Sequence, residues 1–556
     1  MRWLLLCCTL VVVPGAARAG ERLFPKGSPP ASQVDVVDLT HASRDVQLAA
    51  ATLEGRVNSG PRSSVYLLIG HWERFWLGPL EAKGYIEGRV ELEEAEYFRK
   101  YANHYDKVIV YDPQVPATVN VATMMASLEP AIVVAPGDAE RLGHGKGVED
   151  LRGRWTSNVE AYVWAFEALW PRMNHEVLAC LHPTGLPHQV RDYLVRNRVF
   201  HCWVTSPGKA DGQIADHERE KAFLERLLAA APVNVPVIGF WYSGVDPGID
   251  EYAGVGLAGR YGKFTVACDF AANLSLLSGV DVDLEGAVRR YRTRIERPAP
   301  PLDLTKVHLC FDVVESGDSP SYLQNRQFEV WADPKRGVVP INWSMGAGAF
   351  ELEPPIAEYY FDHATANDYI YMALSGAGYC HPYRGLMDKT GEPQAAWAEY
   401  LRLTERYLRL MGCHEIGLYT DAWRPFDRSA HDGVTLRFAD GIPGLDALVL
   451  GMGRDEGVHA EKANYVLGQG AVLVSHVLSR WPVDYAKKSR EENVQWLVDD
   501  IRAQTPAGRP AFMHVMALSW AFNPSDVVEV HQRLGGDYVA VTAPIFTRLF
   551  MEYRAR

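Results

Sequence analysis

The chain is 556 residues long, 47% hydrophobic and 22% charged, with a formal net charge of -13. That is the composition of a globular protein of about three domains, at roughly 100 to 200 residues each. The acidic balance excludes a nucleic-acid footprint, and Arg289, Arg290, Arg292 and Arg294 read as the wet face of one helix.

At the N-terminus, Arg2, the apolar run 4–13 and Ala17-Arg18-Ala19 ahead of Gly20 have the layout of a cleavable signal peptide, predicting residues 1–19 to be removed and the protein to be secreted or periplasmic. Cys7 and Cys8 lack a preceding lipobox. No other segment reaches the roughly 18 apolar residues of a membrane span. Six cysteines remain: Cys180, Cys202, Cys268, Cys310, Cys380 and Cys413. Export would allow disulfides, whereas their wide spacing and apolar neighbours suit buried thiols. No CxxC is present, which argues against a zinc ribbon.

Residues 20–34, rich in Pro, Gly and Ser, read as a flexible leader. A first α/β domain follows at 35–150, with short β-branched strands at 65–69, 108–111 and 132–135 and helical spacing at 92–101 and 119–128. A second, at 151–297, repeats the rhythm with strands at 177–181, 200–205, 235–241 and 264–268. Pro298, Pro300 and Pro301 mark a linker.

From 302 to 556 eight strands are expected, at 307–313, 338–343, 369–374, 415–420, 447–451, 471–475, 511–516 and 538–542. Helical stretches at 356–363, 395–410, 491–503 and 524–534 separate several of them. Eight repeats in about 250 residues predict a TIM-like (β/α) barrel. The link between the fourth and fifth strands is poorly helical, so an incomplete or distorted barrel is the alternative. The expected fold class is therefore α/β, a C-terminal barrel preceded by two smaller α/β domains.

The third strand of this set runs into Gly376-Ala377-Gly378-Tyr379-Cys380-His381-Pro382, a turn that allows tight backbone angles at the carboxyl end of a strand. It resembles the signature of the GxGYxYP family, bacterial proteins grouped as glycoside hydrolases, with His381 where the second tyrosine is usual. Trp343-Ser344, Pro354, Asn367-Asp368-Tyr369 and Ser375 support the likeness. Leu151-Arg152-Gly153, Ser157-Asn158, Trp164, Asn273-Leu274-Ser275 and Val37-Asp38-Leu39 extend it over most of the chain. The resemblance implies a poly- or oligosaccharide substrate. Asp318 occupies the last acid of the family's SDGDN-like segment, but Ser316 replaces the earlier acid and Glu315 lies one residue before it.

In a barrel, functional side chains follow the strands. Those positions hold Asp312, Glu315 and Asp318 after the first strand, Trp343 after the second, and Gly376, Gly378, Tyr379 and His381 after the third. Asp421, Trp423 and Arg424 follow the fourth, Arg454, Asp455 and Glu456 the fifth, His476 the sixth, and His514 and Trp520 the seventh. Acids to move protons, flat rings to cover sugar faces and donors to hold hydroxyls make a carbohydrate site. Glycosidic hydrolysis needs two carboxyls flanking the bond. Asp318 and Asp421 are the expected pair, with Glu315 next. Asp312, Trp343, Gly376, Gly378, Tyr379, His381, Trp423, Arg424, Glu456, His514 and Trp520 are expected to bind substrate, and no cofactor is called for.

Each assignment has a structural alternative. Asp318 can stabilise a turn, Asp421 can pair with Arg424, and the tryptophans and Tyr379 can simply pack. A metal-dependent carbohydrate deacetylase would use His381, His476, His514 and Asp312, although no HxH or HExxH motif supports it. A non-catalytic glycan-binding protein would keep the fold without the acid pair. No GxSxG elbow or nucleotide-binding GxGxxG is present. In the N-terminal half, Asp246, Asp250 and Glu251 are the acids best placed to reach the barrel, and the same residues fit a helix start.

Overall fold

Short, β-branched runs become buried strands of four sheets in the computed structural model, which describes residues 22–185, 190–208, 214–241, 248–298, 300–313, 320–420 and 425–556. β1 (Pro30–Asp38), β2 (Ser63–Leu68) and β3 (Gly88–Leu92) form a parallel sheet in the order β2-β1-β3. β4 (Lys107–Val110), β5 (Ala131–Val134) and β6 (Gly147–Asp150) form a second, ordered β5-β4-β6. β7 (Asn174–Cys180), β8 (Val199–Cys202), β9 (Val235–Gly239) and β10 (Lys263–Ala267) form a third, ordered β10-β9-β7-β8. Parallel strands covered on both faces are apolar throughout rather than alternating, as in the fully buried β9 and β10.

The segment expected to be a flexible leader is ordered from residue 22. Phe24 is buried, and its N–H donates to Glu351 Oε2 at 3.0 Å. Pro30 opens β1, where its missing N–H is tolerated, and Val34, Val36 and Val37 enter the core. Composition signalled a loop here because only the second half of the strand is apolar. The signal-peptide residues lie outside the described part.

The C-terminal sheet contains β11 (Val307–Val313), β12 (Ile341–Met345), β13 (Asp368–Met372), β14 (Glu415–Leu418), β15 (Ala447–Leu450), β16 (Asn464–Leu467), β17 (Val472–His476), β18 (Ala511–Met516) and β19 (Tyr538–Ala540). Its order is β16-β17-β15-β14-β13-β12-β11-β18, with β19 on β11. All pairs are parallel except β16 with β17. The expected closed eight-stranded barrel does not form. β18 pairs with β11 along 307–312, so the short β19 takes the other edge, at 307–309, before β12 joins at 312–313. Among the described residues, β17 and β18 meet only past the end of β17, through the Val477–His514 bridge, the Leu478 N–H to His514 carbonyl bond at 2.9 Å and the Met516 N–H to Ser479 Oγ bond at 2.8 Å, so no continuous ladder closes the sheet and the incomplete-barrel alternative is the nearer description.

The link between β14 and β15 carries a helix, Arg428–Gly441, where none was expected. It buries only Thr435, Phe438 and Ala439, too narrow a face to show as a periodic apolar stripe. The six cysteines are buried free thiols. Among the described residues no helix is long and apolar enough to cross a membrane.

Candidate functional site

The glycine turn after β13 is built by close packing rather than left open for a ligand. Ser375 and Gly376 have φ of 67° and 110°, and a Cβ on Gly376 would lie 2.6 Å from Thr404 Oγ1. A Cβ on Gly378 would meet the Phe264 ring at 2.3 Å. The two glycines, expected to contact substrate, instead allow the chain to press against neighbouring side chains. Tyr379 then pairs with Thr265 of β10 through both its N–H and its carbonyl, at 2.9 and 2.8 Å. The turn therefore fastens the C-terminal sheet to the preceding one.

This docking brings an acid to the turn. The Tyr379 hydroxyl donates to Glu251 Oε1 at 3.1 Å. Glu251 is the first residue of helix Glu251–Arg260, capped by Asp250. Burial pushes its carboxyl up to about 7; the Tyr379 hydrogen bond opposes that and the Asp250 charge adds to it. Asp269, just beyond β10, is likewise pushed up to about 7 by burial, against a hydrogen bond from Ser321 and with the charge of Glu251 adding to the rise. Two carboxyls protonated near neutrality thus influence one another beside the turn. Glu415 is also driven to about 7 by burial, but it begins β14, at the opposite end from the turn, and pairs with Tyr369.

His381 is buried with its ring stacked on Tyr419 at 4.6 Å and tilted against Tyr252 at 4.5 Å. Burial, then the Arg384 charge, lowers it to about 3, so the imidazole is neutral. Neither ring nitrogen has a hydrogen-bond partner. Half-buried Tyr252 and Tyr419 flank it, giving an aromatic wall next to Glu251.

Other expected residues fall into separate settings. Asp312 and His514 are buried and joined, Oδ2 to Nδ1, at 2.7 Å. His476 lies 3.8 Å from Asp455, which accepts from Thr420 Oγ1 at 2.9 Å. His476 and His514 thus have separate acid neighbours, and no group of three or more metal-capable side chains occurs among the described residues. Trp343 is wholly buried within β12, with its Nε1 donating to Asp368 at 2.9 Å and its ring edge-on to Trp331. It is a packing residue, not a sugar platform, because a strand buried on both faces has no solvent side. Tyr379 is buried too, and meets Glu251 through its hydroxyl. Glu456 is exposed and its carbonyl accepts from Phe426. Trp520 is 46% exposed. Glu315, Asp318, Asp421, Trp423, Arg424 and Asp246 lie outside the described residues.

Sequence reasoning placed Glu251 among acids able to reach the C-terminal half, but favoured its role at a helix start, and it serves both. Asp269 was missed. Its one signal is its position just past a buried parallel strand, where such sheets carry their sites.

Residues 305–551 match the "GxGYxYP putative glycoside hydrolase C-terminal domain", residues 175–279 the "GxGYxYP third domain" and residues 105–173 the "GxGYxYP_N second domain". The chain belongs to the GxGYxYP family. The contact between Tyr379 and Glu251 thus joins the GxGYxYP C-terminal domain to the third domain. A crystal structure described as a "putative hydrolase" from Bacteroides thetaiotaomicron VPI-5482 shares the fold, with a TM-score of 0.77 at 18% sequence identity, covering 96% of this chain and 97% of that one. No curated protein matches the chain.

Proposed function

We propose that this GxGYxYP protein is an exported glycoside hydrolase whose cleft lies where the third domain meets the C-terminal sheet, with Glu251 as proton donor. The observation that carries the reading is the hydrogen bond from the signature Tyr379 to a carboxyl held at about 7. Such a group is largely protonated just below neutral pH and can give its proton to a leaving glycosidic oxygen. Half-buried Tyr419, packed on His381, supplies a flat ring beside it for a sugar, whereas the Tyr252 ring is already contacted by His381 and by the Arg384 guanidinium. The second carboxylate, which attacks the anomeric carbon or activates water, is assigned to Asp421 or Asp318, the acids that follow β14 and β11 in sequence.

The test is incubation with a panel of oligosaccharides and detection of reducing-end products. Glu251→Gln is expected to lower kcat by about 10²- to 10⁴-fold, the range of general acid catalysis, while oligosaccharide binding persists. Asp421→Asn or Asp318→Asn should be at least as damaging. Binding without any product from the unaltered protein would replace this reading with that of a non-catalytic glycan-binding protein. Export is checked by the N-terminus of the mature protein, expected at Gly20; retention of Met1 would remove that part.

A further inference from the structure

A cavity of about 560 Å³ lies between the segment that follows β15 and the one that follows β17. Its walls are set by backbone. Gly451 and Gly453 have φ of 96° and 134°, and the Arg454 N–H donates to Ser479 O at 2.7 Å. A Cβ on Gly453 would come within 3.2 Å of the Trp481 backbone, so the two segments pack closely and Trp481 lines the opening between them. Helix Arg490–Gln504 contributes Trp496 from the other side.

Asp455 also lines the cavity and is 2% exposed. Its Oδ1 accepts from Thr420, but its Oδ2 has no hydrogen-bond partner, and neither has the Nδ1 of His476, which is 3.8 Å away and 3% exposed. Buried polar atoms left unpaired in water-free surroundings cost roughly 1 to 3 kcal/mol each, and of the two residues Asp455 is the one that lines the cavity, where a ligand hydroxyl would give it a partner. Donors surround the same space. Arg454 bonds to the neutral Gln504, and Lys488 donates to the Val483 carbonyl at 3.1 Å while standing over the Trp496 ring. Arg480 is matched by the buried Asp500 at 2.7 Å. With Asp455 and Glu456 set against Arg454 and Lys488, the lining charges balance.

We propose that this cavity binds a neutral pyranose, one face on Trp481 and one hydroxyl accepted by Asp455 Oδ2. Mixed donors and acceptors around a flat ring recognise hydroxyls, and balanced charge gives no preference for a uronate or sulfate. The volume falls within the usual range of small-ligand sites. The choice of a sugar rests on the glycoside hydrolase reading, and the pocket would hold part of the chain being cut or a separate segment of it.

The experiment is calorimetric titration of the full chain with maltotriose, cellotriose, chitotriose and trigalacturonate, alongside thermal melts of each variant. At least one neutral trisaccharide is expected to bind saturably, and tenfold or more weakly to Asp455→Asn and to Trp481→Ala. Asp455→Asn keeps the side-chain shape, so it decides the matter if Trp481→Ala melts early. Absence of binding by all three neutral probes, unaltered affinity in Asp455→Asn, or tighter binding of trigalacturonate would each overturn the proposal. Binding with this variant pattern but without turnover would sink the hydrolase reading and leave the pocket standing.

Discussion

Glu251 is subject to two opposing influences, and its neighbour Tyr379 sets their balance. Burial favours the neutral carboxylic acid, whereas the hydroxyl stabilises the carboxylate. An acid raised to about 7 is protonated below that pH, so kcat/KM is expected to fall as pH rises through about 7. Tyr379→Phe removes the bond that favours ionisation, and should move this alkaline limb to higher pH. Glu251→Gln should abolish the limb. Because Asp269 titrates nearby, the profile reports the pair rather than one residue. An unmoved limb in Tyr379→Phe would show that another group controls it. The same shift has a consequence for stability: the unfolded carboxyl ionises near its ordinary 4.5, so the folded state is favoured below that value and loses this contribution between about 4.5 and 7.

Among elements, the glycine turn acts as a strut between two sheets. Gly376→Ala would add a Cβ at a positive φ and into Thr404. The combined strain and overpacking is expected to cost about 2 to 4 kcal/mol, measurable as a lower urea midpoint with an unchanged slope. A variant as stable as the parent would mean the turn relaxes freely. Legibility at this scale follows burial. β11, β18 and helix Pro524–Leu534 coincide with the residues expected for them, because their apolar runs are long and, for the helix, Asn523 and Pro524 mark the start. β3, β6 and β16 escaped notice because they are mostly exposed or half-buried, and an edge segment of mixed polarity carries little signal.

Across the whole molecule, specific side chains tie the regions together. The Asn273 amide both accepts from the Leu67 N–H and donates to the Leu67 carbonyl, at 2.7 and 3.0 Å. Asn58 donates to Ser275 Oγ at 2.9 Å, and Trp76 reaches the Gln324 carbonyl at 2.8 Å. Asn273→Ala leaves both Leu67 groups buried without that partner, at roughly 1 to 3 kcal/mol each. It is expected to lower stability to urea by more than a surface substitution, and an effect below about 0.5 kcal/mol would contradict this. One apolar cluster runs from Phe24 to Ala543, so the loss should appear as a shift of the main unfolding transition.

Local pattern alone was enough to place most buried strands, the glycine turn and the likeness to the GxGYxYP family, because runs of apolar residues and turn chemistry record how each segment meets the core. Tertiary structure decided that the sheet stays open, that Trp343 is interior, and that Tyr379 faces an acid 128 residues away. Those outcomes depend on how finished layers dock and on which strand edge is already occupied, and no periodicity within a segment encodes either.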